Sequence, residues 1–103
     1  MALTSSSHRD GATVTITLRG DADFPGIGDF EDMLAAYVGS DAETIRVDLT
    51  GVVFIDSAGI SALLKGRRSA EDHGQTFVVT DASGIVRELL EMTGVWSHLS
   101  GRA

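Results

Sequence analysis

The chain contains no cysteine. Thiol catalysis, disulfides and cysteine metal sites are therefore excluded. Basic residues are scarce, with 8 Lys and Arg against 15 Asp and Glu, a formal charge of −7. Such a field opposes the approach of phosphate, so binding to nucleic acid or an anionic membrane is not expected. A basic partner surface would suit it better. No apolar run approaches the roughly 18 residues of a membrane span. No basic segment followed by an apolar run opens the chain, so no signal peptide is expected and the expected location is the cytoplasm. Proline occurs once, at Pro25.

What is present suits one small domain covering all 103 residues, of which 43% are hydrophobic. Residues 1–11 are small and polar, including Ser5, Ser6 and Ser7, and read as a weak edge strand or a flexible arm. Val14, Ile16 and Leu18 alternate with Thr13, Thr15 and Thr17, the period of a half-buried strand. Gly20 to Gly28 holds three glycines, two aspartates and the proline, which predicts a loop. Asp29 is placed to cap a helix whose stripe is Phe30, Met33, Leu34, Tyr37 and Val38, stopped by Gly39.

Ile45, Val47 and Leu49 alternate in a further strand. It runs into Val52, Val53, Phe54 and Ile55, which read as a strand end or a buried turn. A helix then begins near Ser57, with Ile60, Leu63 and Leu64 as its buried face and Gly74 as its stop. Phe77 to Val79 make a short buried strand. Asp81 or Ser83 caps a helix carrying Ile85, Val86, Leu89 and Leu90, ended by Gly94. Val95, Trp96 and Leu99 pack the C-terminal stretch back onto the core. The alternation of strands and helices predicts an α/β fold. Its sheet is small, mixed and mostly parallel, with four to five strands and helices packed mainly on one face. The exposed helix faces read as mostly polar, which favours a monomer.

The richest segment is Val53-Phe54-Ile55-Asp56-Ser57-Ala58-Gly59-Ile60-Ser61-Ala62-Leu63. An apolar stretch ends at Asp-Ser-x-Gly, and a helical pattern starts at once. Ser57 at that helix start can cap it, act as a nucleophile or accept a phosphate. As a cap, Asp56 or Ser57 would accept a backbone N–H, worth about 1 kcal/mol. A nucleophile needs a base and an orienting acid. The nucleophile-elbow pattern needs glycine two residues before the serine, where Ile55 stands. His8, His73 and His98 are tied to Ser57 by no pattern and read as surface residues.

Other chemistry is weaker. Asp21 with Asp23, or Asp48 with Asp56, lack the dense acidic spacing of a calcium loop and read as caps and solvated carboxylates, so no metal is expected. Gly26-Ile27-Gly28 precedes a helix, but Asp29, Glu31 and Asp32 would repel a phosphate there. Lys65, Arg67 and Arg68 suit the late part of their helix and solvation, with contact to an acidic partner as the alternative.

The segment Val47-Asp48-Leu49-Thr50-Gly51-Val52-Val53-Phe54-Ile55-Asp56-Ser57-Ala58-Gly59-Ile60 resembles the signature of the STAS domain, as in anti-sigma factor antagonists. Gly20-Asp21-Ala22-Asp23 resembles that family's Gly-x-x-Asp. Gly74-Gln75-Thr76-Phe77-Val78-Val79 resembles its late strand, and Val86 to Val95 its last helix and following turn. The resemblance spans Thr13 to Leu99.

It implies a binding protein without catalysis or cofactor. Its partner would be an anti-sigma factor with serine kinase activity, whose capture frees a sigma factor for transcription. The resemblance implies phosphorylation at Ser57, reversed by a serine phosphatase. It implies partner contacts at Asp23, Asp56, Ser57, Ala58, Gly59 and Ser61. The family's first strand is usually apolar, so a short or frayed strand is expected at the polar N-terminus. Phe24-Pro25-Gly26 also departs from the family's usual loop. A STAS subunit regulating a membrane transporter, bound to a transport ATPase or permease tail, is the alternative. An enzyme with Ser57 as nucleophile is the third reading.

Overall fold

The computed structural model describes residues 2–101. Strand β1 (Thr4–Asp10) turns into β2 (Thr13–Ala22), followed by α1 (Ile27–Tyr37) and β3 (Thr44–Ile55). Helix α2 (Ser57–Asp72), β4 (Thr76–Ala82), α3 (Gly84–Met92) and the short α4 (Val95–Ser100) complete the chain. The sheet order is β1-β2-β3-β4. β1 pairs antiparallel with β2, while β2–β3 and β3–β4 are parallel. The small mixed, mostly parallel sheet read from the sequence is thus observed, with four strands.

Strand order follows chain order, so each crossover steps in the same direction across the sheet. Right-handed crossovers then put α1 and α2 on the same face. That face holds the core: Val14, Ile16, Leu18, Ile45, Val47, Leu49, Phe77 and Val79 below, with Phe30, Leu63, Val86, Leu90 and Leu99 above. The opposite face carries threonines and Arg46 and is half-buried or exposed.

Of the two readings of the N-terminal segment, the edge strand is the one observed, seven residues long. All seven residues of β1 have partners on β2. Gly11, at φ +61°, opens the two-residue loop, where Ala12 keeps an ordinary negative φ. Glycine first is what a II′ hairpin turn requires. Leu3 is buried, the Ser7 hydroxyl meets the Tyr37 hydroxyl at 2.7 Å, and Arg9 pairs with Asp41 at 2.8 Å. Polar side chains on an edge also discourage pairing with other chains. Met1 lies outside the described residues.

β3 explains why its alternation lapses. Thr17 faces Asp48 and Arg19 faces Gly51, then Gly20 faces Val52 and Asp21 faces Phe54. β3 thus gains one residue over β2 at each of two bulges. The buried positions therefore go from Ile45, Val47 and Leu49 to Val52 and Ile55, a spacing of three. The first bulge is held by Asp48, whose Oδ1 accepts from the Thr50 amide at 2.9 Å and its hydroxyl at 2.6 Å. Residues 52–55 are strand, and no buried turn forms: Val53 and Phe54 are exposed.

The helix starts need correction too. α1 begins at Ile27 rather than after an Asp29 cap, and Gly26 takes the cap position without a side-chain bond. Asp29 falls in the first turn, where its charge still suits the dipole. The loop read over Gly20 to Gly28 shrinks accordingly, because β2 continues to Ala22. Leu64, read as part of the buried face of α2, is exposed, and so is Ile85 on α3. The buried face of α2 includes Gly59, Ala62, Leu63, Gly66 and Ala70, mostly small residues that let the helix approach closely. Ser83 takes the cap position of α3, but its hydroxyl donates to the Thr50 carbonyl at 2.9 Å.

Candidate functional site at the start of helix α2

β2 and β3 are parallel neighbours, so their carboxyl ends emerge side by side. Ala22 pairs with Ile55, the last residues of the two strands. The next residues, Asp23 and Asp56, thus begin adjacent loops. Crevices outside the carboxyl ends of parallel strands are where α/β sheets habitually bind ligands.

Asp56 is the cap of α2. Its Oδ1 accepts from the Ala58 amide at 2.9 Å and the Gly59 amide at 3.1 Å. Its Oδ2 accepts from the Phe24 amide at 3.2 Å. One carboxylate thus fastens the β2–α1 loop to the helix start. Asp23 Oδ1 accepts from the Gly26 amide at 3.2 Å, folding that loop on itself. Gly59 completes the junction, because a Cβ there would stand 2.3 Å from the Ala22 carbonyl oxygen. No side chain larger than hydrogen fits without moving β2's end.

Ser57 is the first residue of α2 and is exposed. Asp56 has taken the capping role, and the Ser57 hydroxyl has no hydrogen-bond partner among the described residues. The fold brings Asp23, Asp56, Ser57, Ala58 and Gly59 together in this way. Ser61 lies one turn further along α2 and is half-buried. At i+4 it shares the face of Ser57.

Nucleophilic chemistry finds no support here. His73 caps the far end of α2, roughly 24 Å from Ser57 at 1.5 Å per residue, and its Nδ1 lies 2.8 Å from the Ser69 carbonyl. His8 is on edge strand β1, and His98 on α4 lies near Leu64 and Arg67, about two turns past Ser57. Among the described residues there is no cluster of three or more His, Asp or Glu fit to hold a metal. Of the late α2 cations, Arg67 pairs with Glu71 at 3.4 Å. Among the described residues no helix is long and apolar enough to cross a membrane.

Sequence reasoning underrated the exposed apolar residues near this site. Phe24 is 78% exposed and follows Asp23 directly. Its setting among Asp, Pro and Gly was the available signal, since an aromatic in such a loop has no core to enter. Phe54 was hidden by the lapse in alternation that the bulges cause.

The family model described as "Mlab, STAS domain" matches residues 5–99. No curated protein matches the chain. Among solved structures, the fold is similar to an anti-sigma factor antagonist from Mycobacterium paratuberculosis, at 20% identity and TM-score 0.82, covering 95% of this chain and 83% of that one. It is similar to the anti-sigma factor antagonist SpoIIAA in its unphosphorylated form, at 23% identity and TM-score 0.73, covering 90% and 83%. It is also similar to part of the murine anion transporter Slc26a9, at 24% identity and TM-score 0.73, covering 87% of this chain and 15% of that one. With the family model spanning nearly the whole chain and the four-stranded sheet shared, the chain belongs to the STAS domain family.

Proposed function

We propose that this protein is an anti-sigma factor antagonist. It binds an anti-sigma factor with serine kinase activity, frees a sigma factor, and is switched off by phosphate on Ser57 until a serine phosphatase removes it. Asp23, Asp56, Ser57, Ala58 and Ser61 form the contact surface, and Gly59, buried beneath them, sets how closely the helix start approaches the end of β2. The observation that carries this reading is the exposed Ser57 hydroxyl beside a cap that Asp56 already supplies. It has no structural task in the fold, so it is available for modification.

The physics of the switch follows from the site. A phosphate adds about −1.5 to −2 charge. The helix start favours that charge by about 0.3–1 kcal/mol. The gain is limited, because the Ala58 and Gly59 amides already serve Asp56, whose charge opposes the phosphate. Enclosing the dianion in an interface without a cation costs several kcal/mol, and each 1.4 kcal/mol is about tenfold in affinity. Phosphorylation therefore leaves the fold intact and weakens binding.

The test is intact mass after incubation with ATP and a lysate of the source cells, with fragmentation to place any phosphate. Phosphate on Ser57, absent in Ser57→Ala, is expected. No phosphate where a control antagonist is modified would sink the kinase switch and favour the regulatory subunit of a membrane transporter.

A further inference from the structure

The second bulge of β3 and the face of α3 make a feature that the Ser57 switch does not use. The bulge turns Phe54 outward, 49% exposed. On α3, Ile85, Leu89 and Met92 recur at i, i+4 and i+7, the spacing of one stripe. Ile85 is 68% and Met92 84% exposed. With Ile55 and Val86 they line an open apolar groove of about 170 Å³. For scale, a cavity of about 150 Å³ lined by Leu, Ile and Phe holds a benzene molecule. The space therefore suits one large apolar side chain. Glu88 is the only charged residue in the lining, and it has no ion-pair partner among the described residues.

We infer that this groove docks a basic amphipathic helical segment of a partner protein. The segment inserts one Leu, Met or Phe side chain between Phe54 and Met92 and sets a Lys or Arg against Glu88. Charge decides the occupant. A second copy would bring −7 against −7, and a two-fold contact through this groove would set Glu88 near its own counterpart. A segment with cations beside its apolar stripe satisfies both the groove and its rim, the helix-in-groove mode of recognition. Met92 adds an adaptable wall that can repack around the inserted side chain. Ile55 belongs to the lining and precedes the Asp56 cap directly, so the groove adjoins the Ser57 site along the chain. The inference does not depend on phosphorylation.

The test is NMR titration of the ¹⁵N-labelled protein with a synthetic Leu/Lys amphipathic peptide of about 15 residues, long enough for helix to form on binding. A peptide with Glu replacing every Lys is titrated in parallel. The Lys peptide is expected to shift the amides of residues 54–55 and 85–92 selectively. Met92→Gln, and Ile85→Gln with Met92→Gln, should weaken that binding about tenfold or more. Glu88→Gln should weaken it about threefold and reduce its salt dependence. All three positions are exposed, so thermal melts should stay within a few degrees of the parent. Equal binding of the Glu peptide, or no selective shift with the Lys peptide, overturns the inference. So does sedimentation showing a dimer that the Gln variants dissolve, because a second copy would then occupy the groove.

Discussion

Asp56 and Ser57 are neighbours with opposite relations to the fold. Asp56 accepts three amide hydrogens from two segments, while the Ser57 hydroxyl accepts and donates none among the described residues. Asp56→Ala should therefore lose about 1–2 kcal/mol in urea unfolding, from the cap and the loop tie together. Asp56→Asn keeps a capping oxygen and should lose less. Ser57→Ala should stay within about 0.5 kcal/mol of the parent. A Ser57→Ala loss matching that of Asp56→Ala would return the serine to a capping role. Gly59 is the other decisive position. Gly59→Ala drives a methyl into the Ala22 carbonyl, a backbone atom that cannot swing away. It should cost about 1–3 kcal/mol by overpacking. It should also shift the amide resonance of Phe24, whose loop begins at that carbonyl. An unchanged Phe24 amide would mean that the two loops are not coupled.

Between elements, a single buried amide does the joining. Gln75 is 6% exposed and precedes β4. Its Oε1 accepts from the Gly39 amide at 2.9 Å, and its Nε2 donates to the Tyr37 and Ala42 carbonyls at 3.0 and 2.8 Å. It therefore locks the end of α1 and the approach to β3 against the start of β4. Gln75→Ala strands these groups at about 1–3 kcal/mol for each one left without water. A total loss near 3 kcal/mol is expected, read as a lower urea midpoint with an unchanged slope. An unchanged midpoint would mean that water replaces the amide at no cost. Glutamine carried no signal in the sequence, since its type is usually exposed. The helix stripes and strand alternations were legible wherever the element was regular. They failed at the bulges of β3, because a register shift against β2 depends on where the partner strand sits.

Across the molecule, a charge of −7 on a small domain repels itself in the folded state. Raising salt from about 0.02 M to about 0.2 M shortens the screening length severalfold and should relieve that repulsion. A gain of about 0.5 kcal/mol corresponds to a rise of about 2–4 °C in Tm. A fall in Tm over that range would show that the ion pairs, such as Arg9–Asp41, outweigh the repulsion. The same field would favour the basic, amphipathic segment inferred above for the groove.

The order of elements from β2 to α3, the parallel character of the sheet and the Asp56-Ser57 helix start were present in the one-dimensional pattern. They rest on local periods, caps and crossover handedness, which neighbouring residues along the chain impose on one another. Tertiary structure alone decided how Asp56 reaches the Phe24 amide and why Gly59 must be glycine. It also decided that Phe54, Ile85 and Met92 face solvent together. Each of these depends on distances between segments far apart in sequence, set by strand register and close packing, which no local pattern encodes.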